Sequence, residues 1–246
     1  MLTSSRNPLL KDIRRAADRG ILTEDGYAVA EGLHLFEEAI SSRAEIGAVL
    51  ISEEAAERDW PTHVYALPNA LFREIATTET TQGVIALVRP RVFTLADVFT
   101  GTTVLLDGIQ DPGNAGAIVR ATEAFGGAGV VFLKSTVSPF NPKCLRASAG
   151  SLFRLPFVNH PDPLDVKRAI VSRGVALYSA MPHATDSIDQ VDWSKPSAIV
   201  IGSEGRGVST EWSAQATHVR IPTTGVESLN AAIAAAVILY EASRQR

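Results

Sequence analysis

A single cysteine, Cys144, occurs in 246 residues. No intrachain disulfide can form and no multi-cysteine zinc site exists; such sparing use of cysteine fits a reducing compartment. Long apolar runs are also missing: none approaches the roughly 18 residues that a membrane span needs. The opening Met-Leu-Thr-Ser-Ser-Arg-Asn-Pro lacks the apolar centre of a signal peptide. The expectation is a cytoplasmic protein without a membrane partner. Histidine is dispersed, at His34, His63, His160, His183 and His218, with no metal-ligand spacing, and Asp107 with Asp111 reads as a turn pair. No metal is expected. Nor is there an excess of positive charge: 23 Lys and Arg against 27 Asp and Glu leave a net charge of -4, which argues mildly against a polyanionic partner.

What is present is an ordinary globular composition, 46% hydrophobic and 20% charged, with length for one large domain or two modest ones. The segment from Asn7 to Gly20 reads as a basic helix, with Pro8 at its first position and Gly20 at its stop. Apolar runs at 27–30, 46–51, 63–67 and 84–88 then alternate with helical patterns at 33–42, 53–58 and 69–76, an α/β rhythm. It ends at Pro90 and a less periodic stretch, where we place a boundary between domains at 1–95 and 96–246. A second series, 103–109, 129–133, 174–178 and 198–201, is nearly continuously apolar, as strands buried on both faces require. With helices at 114–125, 162–173 and 228–244, it predicts a parallel sheet with crossover helices. Basic residues cluster twice: Arg6, Lys11, Arg14, Arg15 and Arg19 at 6–19, and Lys134, Lys143, Arg146 and Arg154 at 134–154. These clusters are weak support for RNA binding.

Three loops carry the candidate chemistry, because ligands of open α/β sheets bind at strand ends. In the first, Pro112, Gly113 and Gly116 turn into a helix for which Asn114 is a candidate cap, and Arg120 follows on a face otherwise apolar at Ile118, Val119 and Ala121. In the second, Gly202, Gly205 and Gly207 surround Glu204. The order Gly-x-x-Gly-x-Gly is not a dinucleotide fingerprint, and no P-loop occurs; a tight structural turn and a ligand loop both remain open. The third runs from Ile221-Pro222 to Ser228-Leu229-Asn230 and feeds an alanine-rich helix. There Ser228 takes the N-cap place, and Leu229, Ile233, Ala236, Val237 and Tyr240 recur on one face. Exposed N–H groups at such a helix start can hold a ligand.

Together, Asn114-x-Gly-x-x-x-Arg120, the glycine loop from Ile201 to Gly207, and Ile221-Pro222 with Ser228-Leu229-Asn230 resemble motifs one, two and three of the SpoU (TrmH-like) family of RNA ribose methyltransferases, in the SPOUT superfamily. Further stretches are similar as well: Thr3 to Lys11, Val29 to Gly32 and Thr77 to Gly83 to its substrate-binding domain, and Asn141 to Pro156 to the segment between motifs one and two. The resemblance implies an L30e-like α/β RNA-binding domain, followed by a parallel-sheet α/β methyltransferase domain whose C-terminal segment threads a deep trefoil knot. It implies transfer of a methyl group from S-adenosylmethionine to a ribose 2'-hydroxyl. The implied cofactor contacts are Gly202, Ile221 and Leu229, with Ser179, Gly205 and Pro222 beside them. Arg120 would be catalytic, with Asn114, Glu204, Ser228 and Asn230 supporting it, and Arg6, Lys11, Arg14, Arg15, Lys143 and Arg146 would bind RNA. A guanidinium has no acceptor atom, so Arg120 would stabilise developing alkoxide charge or grip a neighbouring phosphate instead of taking the proton. The implied partner is ribosomal RNA ahead of transfer RNA, and the implied assembly is a homodimer. Alternatives are a tRNA guanosine ribose methyltransferase, an rRNA methylase conferring antibiotic resistance, a base methylase on the same scaffold, and a non-enzymatic RNA-binding factor. One departure stands out: Thr223-Thr224 follow Ile221-Pro222, where the family more usually has methionine and a loop one residue longer.

Overall fold

The computed structural model describes residues 4–57 and 59–246. Thr3, the first of the residues resembling the family, and Arg58, the last of the helical pattern at 53–58, lie outside the described residues. In chain order the elements begin with α1 (Pro8–Arg19), β1 (Ala28–Glu31), α2 (Leu33–Ser41), β2 (Glu45–Ser52), β3 (Tyr65–Leu67), α3 (Asn69–Arg73) and β4 (Val84–Arg89). Next come α4 (Leu95–Val98), β5 (Thr102–Asp107), α5 (Pro112–Ala124), β6 (Gly129–Phe132), α6 (Pro142–Ser148), β7 (Phe157–Asn159) and α7 (Pro163–Ser172). The remainder is β8 (Ala176–Ala180), β9 (Asp186–Ser187), β10 (Ser197–Gly202), α8 (Thr210–Ser213), β11 (Thr217–Arg220) and α9 (Ala231–Arg244). The described residues divide into two compact units: those up to Val92 with Ser138–Arg154, and Phe93–Val137 with Leu155–Arg246.

In the first unit, β1, β4, β2 and β3 lie side by side, with β1 and β2 antiparallel to β4 and β3 parallel to β2. Helix α1 starts where the Asn7 side chain accepts from the Leu9 N–H and stops at Gly20 in the left-handed conformation. Its Leu10, Ile13, Ala16 and Ala17 join Leu50, Phe72 and Ile85 in the core. The pattern at 53–58 yields only a 3₁₀ turn, Glu53–Ala55, capped by Ser52. Helix α6 has no counterpart among the expected elements. It packs on β1, burying Cys144 and Leu145, so residues 138–154 belong to this unit although sequence places them within 96–246. Too short for a periodic pattern, α6 is held by its Asn141 cap and by tertiary packing.

The second unit carries a parallel sheet of seven strands among the described residues, in the order β7-β6-β5-β10-β8-β11-β9. Strands β5, β6 and β10 are apolar and buried along most of their lengths, as the continuous runs predict. The late strand β10 inserts between β5 and β8, bringing the end of the sequence back to the sheet centre. Helices α5 and α9 pack against one another.

Three local expectations are corrected. Helix α5 is capped by Asp111, whose Oδ1 accepts from the Asn114 N–H at 2.8 Å, so Asn114 lies inside the first turn with its side chain free for other partners. Helix α9 is capped by Asn230, not Ser228: Asn230 Oδ1 accepts from Ala232 at 2.9 Å and Ile233 at 3.2 Å, which keeps Ser228 and Leu229 in the loop. The buried face of α9 is Ala231, Ala235, Ile238, Leu239 and Ala242. Its spacing is the same as that of the expected face, displaced by two residues, a rotation of roughly 200°. The alanine run makes both faces apolar, so periodicity alone cannot choose. Packing against α5 selects the face that brings Ile238 and Leu239 inward, at about 1.5–3 kcal/mol of burial each. Ile233 and Tyr240 are left 54% and 56% exposed.

Candidate functional site

The three loops converge within the second unit. Asn114 Nδ2 donates to Glu204 Oε1 at 2.7 Å, and Asn230 Nδ2 donates to Glu204 Oε1 at 2.6 Å and to Asn114 Oδ1 at 3.1 Å. Residues far apart in sequence thus form one triangle of two amides and a carboxylate. Each corner is fixed by its own backbone device. Asp111 holds the Asn114 N–H, and Asn230 caps α9. Glu204 sits in a tight turn in which the Gly207 N–H donates to Ser203 O at 2.8 Å and Gly207 takes a positive φ of 67°. The turn is therefore both structural and part of the site. A Cβ on Gly202 would lie 2.1 Å from the Gly207 carbonyl carbon, so the close approach of the two loop arms requires glycine there. Asp107 Oδ2 accepts from the Ser209 N–H at 2.6 Å, tying β5 to the far side of the loop.

A cavity of about 360 Å³ opens beside the triangle, over the C-terminal ends of β10, β8 and β11. Gly202, Ile221 and Leu229, the implied cofactor contacts, line it, together with Ser228, Asn230 and Glu227. The other implied contacts fall elsewhere. Ser179 is fully buried in β8 with its hydroxyl unpartnered among the described residues, and Ala180, Met181 and Pro182, which follow it, line the cavity instead. Pro222 is exposed and outside the lining, and Gly205 lines a separate cavity. Sequence reading missed Met181 and Pro182; the available signal was their place directly after a buried parallel strand. From Thr223 to Asn230 no backbone N–H is taken up by another protein group among the described residues. Apolar walls with spare backbone donors suit an adenosyl group, which packs against apolar surface and pairs through its ring edge. The residues present therefore fit S-adenosylmethionine.

Arg120 is exposed on α5, lines neither cavity, and has no bonding partner among the described residues. The expected basic surfaces are largely self-neutralised. Arg14 pairs with Glu74 at 2.9 Å, Arg15 bonds Asp12, Arg146 bonds Thr77 and approaches Glu31 at 3.9 Å, and Arg154 bonds Glu38. Arg6 and Lys11 are exposed with no carboxylate partner among the described residues, and Lys143 is exposed on α6. No group of three metal-ligating side chains, and no helix long and apolar enough to cross a membrane, occurs among the described residues.

A sheet of parallel strands with a cavity over its C-terminal edge and three polar loops meeting there defines a ligand-binding α/β domain. Residues 101–240 match the SpoU rRNA Methylase family, and residues 7–86 match the MRM3-like substrate binding domain. The chain belongs to the SpoU rRNA methylase family and is an S-adenosylmethionine-dependent RNA methyltransferase. It is 32% identical, over 100% of its length and 94% of the other's, to a Synechocystis protein described as an uncharacterized tRNA/rRNA methyltransferase. It is also 30% identical, over 97% of each chain, to the 23S rRNA (guanosine(2553)-2'-O)-methyltransferase RlmP of Bacillus subtilis. Among solved structures it resembles the SpoU methyltransferase AviRb of Streptomyces viridochromogenes in complex with AdoMet, with a TM-score of 0.87, 28% identity and 98% of each chain covered.

Proposed function

We propose that this enzyme methylates a ribose 2'-hydroxyl in 23S ribosomal RNA, in preference to transfer RNA, acting as a cytoplasmic homodimer. The observation that carries the proposal is the Asn114–Glu204–Asn230 triangle beside the cavity lined by Gly202, Ile221 and Leu229. The end-to-end similarity to a 23S rRNA guanosine 2'-O-methyltransferase supports the choice of RNA. In this reading S-adenosylmethionine supplies the electrophilic methyl group. Asn114 and Asn230 orient the ribose, Glu204 fixes both amides, and Ser228 holds the substrate at the mouth of the cavity. Arg120 stabilises charge as the 2'-oxygen becomes nucleophilic, or grips the adjacent phosphate. Its guanidinium, exposed and without a bonding partner among the described residues, is available for either. The knotted threading implied by the resemblance, with 1–95 as the RNA-binding domain and 96–246 as the catalytic one, is part of this proposal. So is the dimer, for which the outward Ile233 and Tyr240 supply an apolar face.

Incubation of total RNA with labelled S-adenosylmethionine, followed by mapping, tests the activity. The expected label sits on 23S rRNA at a position resistant to alkaline cleavage; labelled RNA that still cleaves there points to base methylation. Arg6→Glu with Lys11→Glu is expected to weaken RNA binding and flatten its salt dependence while leaving cofactor affinity unchanged. Sedimentation at micromolar concentration is expected to give a dimer, and an active monomer contradicts it.

A further inference from the structure

A second cavity, of about 290 Å³, lies across the triangle from the first. Its walls are the loops after three neighbouring strands, β6, β5 and β10, whereas the first cavity stands over β10, β8 and β11. Ser203, Glu204, Asn230 and Ala231 line the first cavity, and Ser203, Glu204 and Ala231 line both, so the polar triangle is the partition between them.

Three side chains in this second cavity have no work inside the protein. The amide of Gln110, the hydroxyl of Ser135 and the guanidinium of Arg206 form no hydrogen bond to a protein group among the described residues. Ser135 is moreover held in the left-handed conformation at φ 70°, which a serine adopts at a cost. The hold is visible: Thr136 Oγ1 accepts from the Gly108 N–H at 3.0 Å and donates to Leu106 O at 2.7 Å, while the Thr136 carbonyl meets His160 Nε2 at 3.0 Å. The loop is locked from behind, and Ser135 is presented at the front.

Resting on the ribose-methylation reading above, we propose that this second cavity receives the base of the target nucleotide and that Gln110, Ser135 and Arg206 set which base is accepted. In-line methyl transfer puts the attacked oxygen at the seam between the cofactor and its own nucleotide. With the methyl donor in the first cavity and the ribose at the partition, the attached base falls into the second. An amide offers a neutral donor and acceptor side by side, the pattern that reads a base edge bidentately. A planar guanidinium stacks on a base or grips its phosphate. The cavity holds one base and no paired partner, so the target nucleotide is extruded from any helix when it is methylated.

Two measurements test the inference. In the first, AMP, GMP, CMP and UMP at millimolar concentration are titrated into the isotope-labelled full-length protein. The expected shifts concentrate at the amides of residues 108–111, 134–136 and 205–206, differ between bases, and lose that difference in Gln110→Ala. No shift at these amides, or base dependence untouched by Gln110→Ala, overturns the proposal. In the second, four RNA hairpins differing only in the target base are methylated by wild type, Gln110→Ala and Ser135→Gly, the last keeping a backbone that glycine adopts freely. The expected loss in kcat/KM for the favoured base in Gln110→Ala is about 5- to 150-fold, the discrimination one bidentate pair supplies, with cofactor affinity unchanged. An unchanged ratio between bases overturns it. If no ribose is methylated on any RNA while the monophosphate shifts appear as expected, the ribose-methylation reading fails and the base pocket stands.

Discussion

Each unit contains a carboxylate that gathers distant donors and holds a loop or site, and the two differ in burial. In the first, Glu31 is 1% exposed at its side chain and accepts from the Thr77 N–H at 2.6 Å, from the Thr77 hydroxyl, and from the Thr78 hydroxyl at 2.7 Å, with Arg146 nearby. In the second, Glu204 is exposed and accepts two side-chain amides. A buried carboxylate that accepts three hydrogen bonds is a structural rivet, because removing it leaves those donors out of easy reach of water. An exposed one is backed by solvent, so its loss costs little stability and falls on geometry. The same device therefore holds a loop in one unit and aims side chains in the other.

The largest expected effect breaks the rivet. Glu31→Ala strands the Thr77 N–H and the Thr77 and Thr78 hydroxyls, and should cost about 1–3 kcal/mol for each donor left unsatisfied, read as a fall in the urea midpoint. A wild-type midpoint would mean that water already serves this loop. Glu204→Gln inverts the pattern. It should leave stability within about 0.5 kcal/mol, as exposed substitutions do, yet reduce methyl transfer by about 100-fold, the penalty for reacting groups displaced by an ångström. Equal losses of stability and activity would erase the contrast between the two carboxylates.

A smaller effect sharpens the glycine loop that carries Glu204. Gly202→Ala drives a Cβ into backbone at 2.1 Å, whereas a Cβ at Gly205 meets nothing within 4 Å. Overpacking of this kind costs about 1–3 kcal/mol, so Gly202→Ala should weaken S-adenosylmethionine binding about 10- to 100-fold by calorimetry. Gly205→Ala should bind as wild type does.

Much of this architecture was legible from sequence because its signals are local or periodic. Continuous apolar runs mark β5, β6 and β10, Pro8 and Gly20 bracket α1, and the three polar loops that meet at Glu204 stand out by their glycines and amides. What sequence could not supply was tertiary choice. Two faces of α9 carry the same spacing, and only packing on α5 decides between them. Asn230 and Ser228 are both competent caps, and the geometry that lets one side chain reach two N–H groups selects Asn230. Arg14, Arg15, Arg146 and Arg154 read as a basic surface until their carboxylates arrive, some from far along the chain. Ser135 gave no sign of its left-handed backbone, because nothing in a serine announces the hydrogen bonds that Thr136 makes behind it.

The smallest effect reports which carboxylate guards which structure. Cys144 is buried on α6, in the unit that Glu31 holds, and burial pushes its thiol up to about 12. A raised thiol pKa means that at pH 8 the folded protein keeps Cys144 protonated and inert, while an unfolded cysteine, near 8.5, is partly thiolate. Iodoacetamide at pH 8 should therefore label native protein only through opening of the first unit. Glu31→Ala should accelerate that labelling, and Glu204→Gln should leave it at the wild-type rate. Acceleration by Glu204→Gln as well would show that the exposed carboxylate also carries stability, contrary to the division drawn from burial.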